Sequence, residues 1–325
     1  MSNELKPPIF LFGNTRSGTT IVQKVMSTHP DIVGWYEPNA LWLYADPGRI
    51  HDEFDVSDAT NRVKRYIRQR FLTYQKQHGN CVVLEKTPQN ILRIPYVRAI
   101  FPEATFLFIV RNPFSFISSV EFKWQRPVTG SGIVRRLRDM PMSQLHHWVR
   151  RYIIQQINKR VLRKKYLSIW GPRYRGIQED LKTHDQLTVI ARQWSVCSMK
   201  AENDMASFED GQVLRLKYED FVDDPISDLA RICAHCGLEM SSDMVKAARE
   251  MVKSDRKIKW QRFEPHDLAR IMPEISDEMR RHGYEIPAEI AQSIENLLWK
   301  EEVSWHPTLG ERKPELVSSQ IKKQN

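Results

Sequence analysis

A short apolar run, Ile9 to Phe12, is bounded by Pro7-Pro8 on one side and by Gly13 on the other. Within eight residues a helical stripe begins, with Ile21, Val22, Val25 and Met26. A run this short between two breakers reads as a buried strand. A strand apolar on both faces must be covered on both, which requires the chain to cross back over it. The same alternation recurs downstream. Cys81 to Leu84 and Thr105 to Val110 read as a second and a third such strand, and Val213 to Lys217 as a fourth strand. Helices are expected over Asp58 to Gln77, over Asn90 to Phe101 (Ile91, Ile94, Val97 and Ile100 on one stripe) and from Asn112-Pro113 toward Trp124. This predicts an α/β chain: a single P-loop-like domain over 1–325 whose central, mostly parallel sheet is flanked by helices. Sites in such sheets form at the carboxyl ends of the strands.

The bulk properties fit that reading. The chain has 325 residues, 41% of them hydrophobic, with nine Trp, enough for a large core. Its formal net charge of +9 suits anionic ligands, although solvated Lys and Arg serve solubility equally well. Four cysteines are too few for a disulfide scaffold. Cys233 and Cys236 make a C-x-x-C with no second ligand pair, so they read as structural, and no metal site is expected. The opening MSNELKPPIFLFG lacks a basic, then apolar leader, and no run approaches the ~20 apolar residues of a membrane span. A cytoplasmic location is expected, with no transmembrane segment. Residues 125–185 are less regular and read as a helical insertion on the acceptor side. They hold Arg135, Arg136, Arg138, Arg150 and Arg151, which fit an anionic glycan or simply a solvated face. Residues 305–325 form a polar tail.

The segment Gly13-Asn14-Thr15-Arg16-Ser17-Gly18-Thr19-Thr20 has the order strand, glycine loop, helix. Such a loop lets backbone N–H groups curl around an anion, and the helix adds its positive end. The triphosphatase loop would place Lys before Thr20; here Thr19 stands there, and the nearest cation is Arg16. No strand ends in the carboxylate that would hold magnesium, so the loop suits phosphate binding without γ-phosphoryl transfer. A second motif starts where a strand ends, at Arg111, with Ser115 one helical turn on and Ser119 two. Arg can fork two donors onto a phosphate and Ser can add another. Taken alone, a helix cap with a solvated Arg explains it equally well.

Together these motifs resemble the PAPS-dependent sulfotransferase family, in its bacterial and Golgi-type branch of carbohydrate and tyrosyl-protein enzymes. The donor is 3′-phosphoadenosine 5′-phosphosulfate (PAPS). Residues 13–20 look like the 5′-phosphosulfate loop and 111–119 like the 3′-phosphate motif. EKTPQN at 85–90, VLRLKYEDFVDDP at 213–225 and HGYE at 282–285 are similar too, so the resemblance covers roughly 8–125 and 190–285. It implies that Arg16, Ser17, Gly18, Thr19 and Thr20 hold the 5′ end and that Arg111 and Ser119 hold the 3′-phosphate. Tyr218 falls where the family contacts the nucleotide, or is a packed aromatic. Arg16 and Lys86 are the expected cations at the reacting centre, with a Glu85 salt bridge as the competing use of that segment. Glu37, in GWYEPN, is the expected base; His29, otherwise a helix stop, and His51 are the alternatives. The acceptor is expected to be a hydroxylated molecule, a glycan or a small metabolite. The basic run Lys253, Arg256, Lys257 and Lys259 reads as solvated. A P-loop ATP or GTP enzyme of kinase type is the alternative, opposed by Thr19. No helix–turn–helix, zinc finger or RNA-binding signature points to a nucleic-acid partner.

Overall fold

The computed structural model describes residues 4–124, 171–253 and 260–305. Five strands form one sheet: β1 (Ile9–Gly13), β2 (Ile32–Tyr36), β3 (Val82–Lys86), β4 (Thr105–Val110) and β5 (Val213–Lys217). Their order is β2-β3-β1-β4-β5, and every pairing is parallel. Consecutive strands β3 and β4 lie on opposite sides of β1, so crossovers cover both faces. The helices are α1 (Thr19–Met26), α2 (Asn39–Trp42), α3 (Asn61–Gln77), α4 (Ile94–Ile100), α5 (Pro113–Trp124), α6 (Ile177–Thr183), α7 (Gln186–Met205), α8 (Tyr218–Asp223), α9 (Pro225–Cys236), α10 (Ser242–Met251), α11 (Pro265–Arg281) and α12 (Ala288–Trp305). The expected α/β sheet flanked by helices is present.

The two faces of the sheet are chemically different, because side chains alternate along each strand. Phe10, Phe12, Phe106 and Phe108 point to one face, where Phe71 of α3, Tyr96 of α4, Trp194 of α7 and Ile271 of α11 meet them. The Phe10 and Phe12 rings stack on Phe106 at 6.0 and 5.9 Å between centroids. Ile9, Leu11, Leu107 and Ile109 point to the other face, against Val22 and Val25 of α1, Leu229 and Ile232 of α9 and Met244 of α10. Each such side chain contributes about 1.5–3 kcal/mol when fully buried.

Three local expectations differ from the structure. Strand β2 was not anticipated. It is short, sits at the sheet's edge, and carries Gly34 and an exposed Tyr36, so it lacks the continuous apolar run of β1 or β4. The helix expected from Asn90 to Phe101 is broken: a 3₁₀ turn spans Pro88–Leu92, Arg93 leaves helical geometry at φ −146°, ψ 34°, and α4 starts at Ile94. Pro95 has no N–H to donate to Ile91, and its ring crowds that carbonyl. The helix expected from Asp58 begins at Asn61, where the Thr60 hydroxyl caps the Val63 N–H at 3.4 Å. The cations Arg135, Arg136, Arg138, Arg150, Arg151, Arg256, Lys257 and Lys259, and the tail from 306, lie outside the described residues. Among the described residues no helix is long and apolar enough to cross a membrane.

Candidate functional site

The site forms where β1, β3, β4 and β5 end. Strand β1 closes on Gly13, where a Cβ would come within 2.6 Å of the Ile109 carbonyl. The next residue, Asn14, is buried and anchors the loop to α7. Its Nδ2 donates to Ser198 Oγ at 2.9 Å and to the Trp194 carbonyl at 3.2 Å. The chain then curls, with Ser17 N–H donating to the Asn14 carbonyl at 3.1 Å. Arg16 (φ 63°) and Gly18 (φ 89°) both take left-handed backbone. A Cβ on Gly18 would lie 2.0 Å from the Tyr218 ring, so only glycine fits between loop and ring. The Ser17 hydroxyl is buried and makes no hydrogen bond among the described residues. Thr19 and Thr20 open α1, which turns its positive end toward the loop.

The two anion motifs are physically joined. Arg111 leaves the end of β4 and its Nη1 donates to the Arg16 carbonyl at 2.7 Å. Its guanidinium sits 4.4 Å from the centre of the buried Tyr218 ring. Arg16 in turn donates Nε–H to Ser119 Oγ at 2.8 Å. Thus Arg16, Gly18, Arg111, Ser119 and Tyr218 form one cluster, although they come from three stretches of sequence. Trp194 Nε1–H fixes the Arg111 carbonyl at 3.0 Å. Ser115 is buried nearby on α5. Two further contacts were not anticipated. Arg262 donates to Ser118 Oγ at 2.6 Å and to Glu121 Oε2 at 3.0 Å, which brings a cation onto α5. Its one signal in the sequence is its place just after the basic run at 253–259.

Lys86 and Glu37 meet because of strand register. Tyr36 of β2 pairs with Lys86 of β3, and Glu37 N–H donates to the Lys86 carbonyl at 3.1 Å. With Glu37 at φ 51°, its carboxylate reaches Lys86 Nζ at 2.7 Å. The same Nζ donates to Thr20 Oγ1 at 3.2 Å and lies 4.1 Å from the centre of the Tyr36 ring. The Lys86 side chain is 1% exposed and that of Glu37 24%, so the carboxylate is the half of the pair that faces out.

Glu85 does not form the salt bridge considered for this segment. It is buried and accepts from Trp42 Nε1–H at 3.1 Å, from the Thr87 hydroxyl and from Asn90 Nδ2–H at 2.9 Å. Burial pushes this carboxyl up to about 7, against the opposing pull of the Thr87 and Trp42 hydrogen bonds and of the Arg93 and Lys86 charges. His29 Nδ1 accepts the Asp31 N–H at 3.1 Å, so Nε2 carries the proton and donates to the Glu239 carbonyl at 3.0 Å. Both its nitrogens are engaged in closing the end of α1. His51 accepts the Glu53 N–H at 3.3 Å and lines a 690 Å³ cavity with Asp46, Arg49 and Arg175; burial lowers its pKa. Cys233 is buried and Cys236 half-buried, both as free thiols. Among the described residues no three His, Cys, Asp or Glu side chains group closely enough to hold a metal.

A parallel sheet whose strand ends carry a glycine loop, a linked Arg–Ser motif and a pair of a buried Lys with a half-buried Glu is a P-loop-like α/β protein. The family model described as the Sulfotransferase family matches residues 7–169 and 164–242. The chain belongs to the sulfotransferase family. It is 26% identical over 145 residues to nodulation protein NoeE of Sinorhizobium fredii, covering 39% of this chain and 35% of that one. It is 28% identical over 120 residues to protein-tyrosine sulfotransferase 1 of Danio rerio, covering 34% of each. The chain thus spans about a third of the length of these curated relatives. A sulfotransferase domain from the curacin biosynthetic pathway superposes with a TM-score of 0.48 at 14% identity, covering 87% of this chain and all of that one.

Proposed function

We propose that this chain moves a sulfuryl group from PAPS to a hydroxyl of a glycan or small hydroxylated metabolite, working as one domain in the cytoplasm. One observation carries the reading: the glycine loop and the Arg111 motif are tied together by Arg111 and Arg16, with the buried Lys86 paired to the half-buried Glu37 at the neighbouring strand end. The donor carries phosphate at both ends of its ribose, and its 5′ end carries the sulfuryl group. Arg16, Ser17, Gly18, Thr19 and Thr20 are assigned to that 5′ end; the buried Ser17 hydroxyl, without a hydrogen-bond partner among the described residues, supports this. Arg111 and Ser119 are assigned to the 3′-phosphate, and Tyr218 to the nucleotide between them.

Transfer is an in-line displacement. The acceptor oxygen bonds to sulfur while the bond from sulfur to the bridging oxygen breaks. The acceptor proton goes to Glu37, and the electron pair leaves on the bridging oxygen as 3′-phosphoadenosine 5′-phosphate departs. Lys86 and Arg16 neutralise that developing charge. The more exposed Glu37 faces the acceptor, and Lys86, sealed beneath Tyr36 and bonded to Thr20, faces the donor. The test is Glu37→Gln assayed with sulfur-35-labelled PAPS and a panel of hydroxylated acceptors. Turnover should fall about tenfold or more while affinity for the desulfated nucleotide persists. Wild-type turnover in that variant removes Glu37 from the mechanism.

A further inference from the structure

Helix α11 ends in a Schellman turn at His282-Gly283-Tyr284-Glu285. Tyr284 N–H donates to the Met279 carbonyl at 2.8 Å, and Gly283 N–H donates to the Arg280 carbonyl at 2.9 Å, with Gly283 at φ 64°. The turn is fastened to the end of β5: Lys217 Nζ donates to the Gly283 carbonyl at 3.1 Å and lies 5.1 Å from the Tyr284 ring centre. From there the Tyr284 hydroxyl donates to Glu219 Oε2 at 2.9 Å. The other oxygen of that carboxylate, Oε1, accepts the backbone N–H of Asn112 at 3.1 Å. Asn112 is the residue after Arg111, and Tyr218, the residue before Glu219, packs under the Arg111 guanidinium.

A carboxylate beside a phosphate site is electrostatically adverse, since like charges repel. Its place here is accounted for by geometry. Glu219 takes a backbone N–H where the chain enters α5, and the positive end of that helix favours an anion. Burial and the Glu219 charge drive the Tyr284 phenol well above its ordinary range, so it stays protonated and keeps donating. We propose that Tyr284 and Glu219 are positioning residues that hold Arg111 in place through the Asn112 N–H, and so set the preference for nucleotides bearing a 3′-phosphate. This rests on the assignment of Arg111 to that phosphate.

The test is calorimetric titration of two nucleotides into the full chain: 3′-phosphoadenosine 5′-phosphate, and adenosine 5′-phosphosulfate, which lacks the 3′-phosphate. Tyr284→Phe and Glu219→Ala should each weaken the first about fivefold or more and leave the second within about twofold, with both variants still folded at the titration temperature. Glu219→Gln keeps an oxygen for the Asn112 N–H and should retain the 3′-phosphate preference. If Glu219→Ala binds the bisphosphate as well as or better than wild type, the carboxylate only repels and the proposal fails. Parallel loss of both nucleotides also overturns it, because the damage is then general. Arg111→Ala separates the two readings. If that variant binds like wild type, the site assignment falls and the clamp with it. If it is weakened while Tyr284→Phe and Glu219→Ala are not, the clamp alone falls.

Discussion

Replacing Glu85 with Gln isolates the cost of a carboxyl group held inside the sheet. Its pKa rises from an ordinary 4.5 to about 7, with burial as the largest cause. The folded chain therefore holds this proton more tightly than the unfolded chain does. Between those two pH values the folded state binds more protons, so stability falls as pH rises through that window. The gap corresponds to about 3 kcal/mol, lost progressively from about pH 4.5 and fully by about pH 8. Gln has no proton to lose. It keeps one oxygen for Trp42 and Thr87, and Asn90, whose Oδ1 is buried without a partner, can turn its amide to meet the new NH₂. Urea denaturation of both proteins at pH 5 and pH 8 measures the effect. Relative to wild type, Glu85→Gln should gain up to about 3 kcal/mol on going from the lower to the higher pH. An equal difference between the two proteins at both pH values would refute the reasoning, because Glu85 would then titrate like an exposed carboxylate.

Other outcomes follow from the same geometry. Lys86→Ala should lower turnover about 100-fold or more with a smaller change in nucleotide affinity, read by sulfur-35 transfer and calorimetry; equal losses in both would mean that Lys86 serves binding alone. Gly18→Ala combines left-handed strain with a clash against Tyr218, costing about 3 kcal/mol in loop geometry. It should abolish measurable binding of 3′-phosphoadenosine 5′-phosphate, and wild-type affinity would show that the loop tolerates a side chain. Asn14→Ala removes the side-chain donor to the buried Ser198 hydroxyl and should destabilise the fold by about 2 kcal/mol in a denaturant titration. No change there would mean that the anchor between loop and α7 is dispensable.

The order of strands and helices was legible wherever a strand is buried on both faces, because Ile9 to Phe12 and Phe106 to Val110 are apolar at every position. The glycine loop and the Arg111 motif were legible for a related reason: each begins where a strand ends, at the last residue of β1 and just after that of β4, where chain direction and chemistry change together. The Lys86–Glu37 contact was not legible. It joins residues 49 apart through the pairing of β2 with β3, and β2 itself was hidden by Gly34 and by an exposed face. Arg262 and Tyr284 escaped for a similar reason. Their partners, Ser118 and Glu219, lie 144 and 65 residues away, and no local periodicity encodes such distances. The Glu85 environment depends on α2 and the 3₁₀ turn closing over one strand end, which no pattern in EKTPQN announces.

Among the described residues strand β2 has a neighbour on one side only, and Glu37 is the first residue beyond it. Outer ladders open locally at lower free energy than the middle of a sheet. Under mild denaturant the carboxylate should therefore drift from Lys86 while β1 and β4 still hold together. Amide exchange at Trp35 and Tyr36 would then rise in step with the loss of turnover, well before the central Phe cluster gives way.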